Sequence, residues 1–154
     1  MNAEIKIDYA KTLDTGLYLD TLNKVIKWSC TPDELLSEIG ETKYVMNKSD
    51  YMDYTGYGIQ SGIFGILRSF SVLFNFINGK LTSININELS DMDVITNFNR
   101  IRNELEPILG KPNRSLCLFN LKKQSCKWKL KKVIIEQSII ERDGLQRIFE
   151  IKIR

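Results

Sequence analysis

The sequence predicts an α+β fold: a mainly antiparallel sheet with two helices packed on one face, residues 1–154 forming a single domain. Three observations predict it. Ile occurs 20 times and Ala twice, and β-branched side chains lose χ1 freedom in a helix but pack well on a pleated surface. Two segments carry helix start and stop signals around an apolar stripe of helical spacing. Two others alternate apolar and polar residues around Asn-Gly and Asp-Gly turns.

The first 28 residues give mixed signals: Ile5, Ile7 and Tyr9 suggest a strand, whereas Leu19, Leu22, Val25 and Ile26 have helical spacing. The first clear helix spans 31–40. Thr31 caps it, Pro32 sits where a missing N–H costs nothing, and Glu34 closes a capping box. Leu35, Leu36 and Ile39 form its buried stripe, and Gly40 ends it. Phe70, Val72, Phe74 and Phe76 then alternate with Ser71, Leu73, Asn75 and Ile77 up to Asn78-Gly79, and Thr82, Ile84 and Ile86 follow. A two-residue turn would put Phe74 opposite Ser83. A three-residue loop, or an equivalent bulge, puts Phe74 opposite Ile84 and Val72 opposite Ile86, which keeps the faces intact.

A second helix starts at Ser90, with Asp91 and Asp93 favourable against its dipole. Its stripe is Val94, Phe98, Ile101, Leu105 and then Ile108 or Leu109, and Gly110 with Pro112 stops it. Leu116, Leu118, Phe119 and Leu121 suggest a strand. Lys127-Trp128-Lys129-Leu130-Lys131 alternates strictly and reads as another, half-buried, with Trp128 inward. In the last hairpin, Val133, Ile135 and Ile139 face Phe149, Ile151 and Ile153 across a loop read as Asp143-Gly144-Leu145, with Glu136 opposite Lys152.

Composition narrows the function classes. Apolar content of 43% with 27% charge rules out a disordered chain, and no apolar run is long enough to cross a membrane as a helix. No basic-then-apolar leader opens the sequence, so a cytoplasmic location is expected. Cys30, Cys117 and Cys126 match no metal-ligand spacing, and no His is present to complete a site. No metal, cofactor or small-molecule ligand is therefore expected. Acid–base enzymes most often use His, and no carboxylate pair, phosphate-cradling glycine loop or cysteine–base pair replaces it. The chain is expected not to be an enzyme.

Charge is unevenly spread. Residues 31–60 hold six acids and two bases, whereas 111–132 hold eight bases and no acid. Two candidate binding segments follow. In the first, Asp50, Tyr51, Asp53, Tyr54 and Tyr57 lie in a segment read as a loop between helix and sheet. Tyrosine gives large contact area at small entropic cost and is enriched in interfaces; the plainer reading is that two of the rings cover the core edge. In the second, Lys122, Lys123, Lys127, Lys129 and Lys131 make a basic face. It is the alternative, nucleic-acid-binding reading, disfavoured because Trp128 points away from the lysines. A charged edge strand would explain the same lysines.

Residues 33–40 and 103–110 share a pattern 70 positions apart, and the two turn glycines lie 65 apart. Helix, glycine stop, strands and closing hairpin thus occur twice, as candidate repeats over 25–87 and 91–154. This pattern, carried by 31–40 with 70–87 and by 103–110 with 133–153, resembles the tandem-repeat architecture of β-lactamase-inhibitor proteins. A small chain without leader or catalytic motif also resembles immunity proteins of bacterial polymorphic or contact-dependent toxin systems. The resemblance implies a cognate toxin domain as partner, no membrane and no catalytic residues. One departure stands: nuclease-directed immunity proteins are often acidic, whereas this chain carries a net charge of +3.

Overall fold

The computed structural model describes residues 6–40, 45–46, 53–88, 90–117 and 124–154. Asp8 caps a single helical turn, α1 (Tyr9–Thr12), through a bond from the Lys11 amide. A tight hairpin follows, β1 (Gly16–Leu19) and β2 (Lys24–Lys27), with Leu17 opposite Ile26. Of the expected early strand, Ile5 lies outside the described residues, Ile7 belongs to no strand and Tyr9 opens the helical turn; two short strands replace the expected helix. The apparent helical spacing arose because Leu19, Val25 and Ile26 come from strands joined by a turn, in which Asn23 takes a left-handed conformation. Gly16 is required there, since a Cβ would meet the Ile26 carbonyl oxygen at 2.1 Å.

Helix α2 (Pro32–Ile39) has the predicted capping box: the Thr31 hydroxyl accepts from the Glu34 amide at 3.3 Å, and the Thr31 amide donates to the Glu34 carboxylate at 2.9 Å. Strands β3 (Val45–Met46), β4 (Tyr54–Ile63), β5 (Ile66–Ile77) and β6 (Lys80–Glu88) come next. Helix α3 (Val94–Leu109) leads to β7 (Arg114–Cys117), β8 (Gln124–Lys129), β9 (Val133–Glu141) and β10 (Leu145–Ile153). The cap of α3 is Asp93, which accepts from the Thr96 amide at 3.0 Å, rather than Ser90, so the helix starts one turn later than expected.

Every strand pairing among the described residues is antiparallel, in the order β2-β1-β4-β5-β6-β10-β9-β8-β7, with β3 on β4. Among the described residues helix-then-four-strands occurs twice, and the closing strands β6 and β10 meet at the centre. In the first hairpin Phe74 faces Ile84 and Val72 faces Ile86. The predicted register is reached by a bulge: Asn78-Gly79 makes a two-residue turn, and an irregularity after Asn75 shifts the pairing by one. The last hairpin has a three-residue loop, Arg142-Asp143-Gly144, one position before the expected one. Ile135 consequently faces Ile151, and Glu136 faces Glu150 instead of Lys152. Both registers keep the apolar faces, so alternation alone does not choose between them. The positive φ of Asp143 and Gly144 at the loop's end selects the observed one.

One row crosses the core face: Phe74, Ile84, Ile151, Ile135 and Trp128 follow one another over five strands, all fully or almost fully buried. Helix α3 lays Phe98, Ile101 and Leu105 into the same cluster, which Leu35 of α2 also joins. The Trp128 indole N–H donates to the Gly110 carbonyl at 2.8 Å and ties the end of α3 to β8.

Candidate functional site

Because side chains alternate across a strand, the residues between the core positions form the opposite sheet face. Two unbroken rows cross six strands there. One runs Gly58, Leu73, Asn85, Glu150, Glu136, Lys127; the other runs Gly56, Asn75, Ser83, Lys152, Ile134, Lys129. The buried apolar side chains of α2 and α3 all join the other face. This helix-free face is the candidate site.

Its two ends differ chemically. Near β4–β6, Asn75 is 2% exposed and fully bonded. Its oxygen accepts from the Tyr54 hydroxyl at 2.6 Å, and its NH2 donates to Ser83 Oγ at 3.2 Å and Asn85 Oδ1 at 2.6 Å. A satisfied buried amide fixes its neighbours in one arrangement, so Tyr54 is held rigidly. Toward β8–β10 the face is charged. Glu136 and Glu150 sit directly opposite each other, an unfavourable pairing alone. Lys152 Nζ lies 3.6 Å from Glu136 and 3.4 Å from Glu150, and Lys127 Nζ lies 3.4 Å from Glu136. These pairs are solvent-accessible, so each is worth well under ~1 kcal/mol to stability, and the charges remain available to a partner.

The sequence-predicted residues separate. Tyr54 and Tyr57 lie within β4 rather than in a loop, and their odd separation sends them to opposite faces. Tyr54 belongs to the open face. Tyr57 stands opposite Phe74 on the core face and meets Phe76 edge-to-face at 5.9 Å between centroids. Asp53 is exposed just before β4, its carbonyl accepting from the Asn78 amide at 2.8 Å. Asp50 and Tyr51 lie outside the described residues. Lys127 and Lys129 share the open face while Trp128 is buried, as strict alternation requires. Lys131 is exposed in the β8–β9 turn, and Lys122 and Lys123 lie outside the described residues. β7 pairs with the outer side of β8, so β8 is not an edge strand. Sequence reasoning did not single out Asn75, Glu136, Glu150 and Lys152 as site residues, although their alternation in strands already recognised places them on this face.

Elsewhere the surface holds shallow grooves. One, of about 350 Å³, lies between β2 and α2 and includes Cys30. Burial pushes the Cys30 thiol up to about 11, with Glu34 adding to the effect, so it stays protonated at neutral pH. Among the described residues no three Cys, Asp or Glu side chains gather to hold a metal ion, and no helix is long and apolar enough to cross a membrane.

No protein-family model matches the chain, and no curated protein matches it. Among solved structures it is similar to a DUF4309 family protein (YjgB) from Bacillus subtilis, at 13% identity and a TM-score of 0.45, over 80% of this chain and 78% of that one.

Proposed function

We propose that this protein is a non-enzymatic inhibitor, an immunity protein that binds and neutralises a cognate bacterial toxin domain in the cytoplasm through the helix-free face of its sheet. The two helix-plus-four-strand halves act as repeats that together build that face. One observation carries the reading: two rows, polar or charged at eight of their twelve positions, cross six strands on a face to which the described helices contribute no buried apolar side chain. Six strands at a spacing of ~4.8 Å, each about nine residues long at ~3.4 Å, give a patch of roughly 24 by 30 Å, about 700 Å². That is close to the roughly 800 Å² per partner of a standard protein–protein interface. Rigid Tyr54 and the amide cluster supply contact area and hydrogen bonds, and the lysine–glutamate ladder supplies charges that steer encounter.

The nucleic-acid reading draws on Lys127, Lys129 and Lys152 sharing this face. Glu136 and Glu150 interleave with them and Trp128 is buried, so a continuous basic stripe with stacking aromatics is missing among the described residues. The deciding experiment is co-expression with the product of the neighbouring candidate toxin gene, followed by co-purification and a toxicity assay. The expected result is a stable complex and rescued growth, abolished by Asn85→Arg or Tyr54→Ala and unaffected by Asn99→Arg on exposed α3. No complex with any neighbouring gene product removes the functional reading. A complex indifferent to the open-face variants keeps the function and discards the face.

A further inference from the structure

β6 and β10 join the two halves of the sheet, and their ladder is short. Ser83–Asn85 pair with Glu150–Lys152, whereas β9 and β10 pair at nine positions. Continuing the register would set Ile86 against Phe149 and Glu88 against Arg147, but among the described residues these pairs do not form. Past the ladder the two strands leave an unpaired gap; Ile86 and Phe149 are still buried there, and the next core-face side chains, at its mouth, are charged.

Glu88, its side chain 5% exposed, has Arg68 Nε at ion-pair distance from Oε1, 2.8 Å, and accepts from Arg100 Nη2 on Oε2 at 2.6 Å. Arg68 also holds Glu104, Nη1 to Oε1 at 2.5 Å, and Arg100 donates to Asn97 Oδ1 at 3.0 Å. Both carboxylates are thus committed to Arg68 and Arg100. Arg147 is the third guanidinium of the cluster and has no carboxylate within ion-pair distance among the described residues. Its Nη1 donates to Gln137 Oε1 at 3.2 Å, and its Cζ lies 6.0 Å from the centre of the Phe149 ring. Gln137 is fully buried and cannot turn away. Its NH2 is held by the Phe98 carbonyl at 3.0 Å and faces Cys126 Sγ, which leaves its oxygen toward Arg147.

Arg147 therefore has five N–H donors, one neutral acceptor and two guanidinium neighbours. Burial lowers its pKa; Glu88 opposes that shift, and Arg100 and Arg68 push it further down. A partly desolvated charge whose neighbouring carboxylate, Glu88, is already paired with two other guanidiniums is a costly arrangement that a small anion relieves. We propose that the mouth of the β6–β10 gap is a binding site for a compact oxyanion, a phosphate or carboxylate group gripped by the Arg147 fork. A guanidinium presents two parallel N–H groups that match either geometry. This site lies on the helix-bearing side of the sheet and is independent of the open face.

The test uses the full-length protein in buffer free of oxyanions, titrated with inorganic phosphate and separately with acetate, chloride keeping ionic strength constant. Amide shifts are followed by NMR. The expected result is saturable movement confined to Gln137, Arg147, Phe149 and their neighbours with at least one of the two probes. Arg147→Gln then binds at least about tenfold more weakly, and Lys131→Gln, far from the gap, binds as the wild type does. If Arg147→Gln does not fold, Arg147→Lys replaces it and also binds more weakly, because a single ammonium lacks the fork. Absence of saturable shifts with both probes, or equal affinity of the folded Arg147 variant and the wild type, overturns the proposal.

Discussion

Replacing Phe74 by Ala removes a ring from β5, which lies between Tyr57 of β4 and Ile84 of β6, at a position with no exposed surface. A phenylalanine buries at least ~150 Å², which at ~25 cal/mol per Å² gives about 4 kcal/mol of transfer free energy. Residual burial in the unfolded chain lowers that figure. The cavity left among Val72, Phe76 and Ile84 raises it, because a central strand flanked on both sides collapses poorly. The two corrections oppose each other, and the expected loss is about 3–5 kcal/mol. For a urea m-value of ~2 kcal/mol/M, the midpoint falls by roughly 2 M with an unchanged slope. Leu73→Ala provides the contrast. Leu73 is the next residue on the same strand, half-buried on the open face between Gly58 and Asn85, so its loss is expected to be below ~1.5 kcal/mol. A Phe74→Ala loss under ~1 kcal/mol, or equal losses for the two variants, refutes the assignment of faces.

Three further outcomes are expected. Thr31→Ala removes half of the capping box of α2 and lowers stability by about 1 kcal/mol in the same melts; no change would show that the box contributes nothing. Gly16→Ala forces a Cβ to within 2.1 Å of the Ile26 carbonyl oxygen, so hydrogen exchange of the β1 and β2 amides accelerates, with β9 and β10 unaffected. Glu104 is held below its ordinary pKa of 4.5 chiefly by its hydrogen bond with Arg68. A depressed carboxylate contributes stability that is present above the unfolded value and is lost as pH falls through the folded one. Glu104→Gln is therefore less stable than wild type at neutral pH, and the gap closes below pH ~4.5; a gap that persists in acid denies the ion pair its role.

What could be read from the sequence follows the range over which each signal acts. The α2 capping box, the glycine stops and the face alternation of β5, β6, β8 and β9 are local, and all appear as expected. Registers were legible only up to parity. Alternation demands that Phe74 and Ile84 share a face, but it does not say whether a loop or a bulge achieves it, nor does it separate Ile135 opposite Ile151 from the register two positions away. Around Tyr54 the glycines at 56 and 58 look like loop residues, yet within β4 they lie on the open face beside Asn75 and Leu73. Near the N-terminus, strands of four residues are too short for a period of two to outweigh an accidental period of three or four.

The charged cluster at the gap was not legible, and the reason bears on how such sites arise. Arg68, Glu88 and Arg147 stand at core-face positions, in phase with Phe70, Ile86 and Phe149. In sequence each looks like the polar end of an apolar strand. Their partners lie 10 to 36 residues away, on strands and a helix that meet only after folding. The paired stretch of β6 and β10 carries Ile84 and Ile151 on this face, and Ile86 and Phe149 just beyond it are still buried; at the next positions, Glu88 and Arg147, charged side chains take over, and the long apolar stems of the arginines close the opening. Two of the three guanidiniums find carboxylates. The third, Arg147, is left with an amide oxygen and a ring face, because Glu88 is already shared by the other two; the end of the β6–β10 ladder and the unpaired guanidinium are therefore one structural feature, and the proposed anion site follows from both.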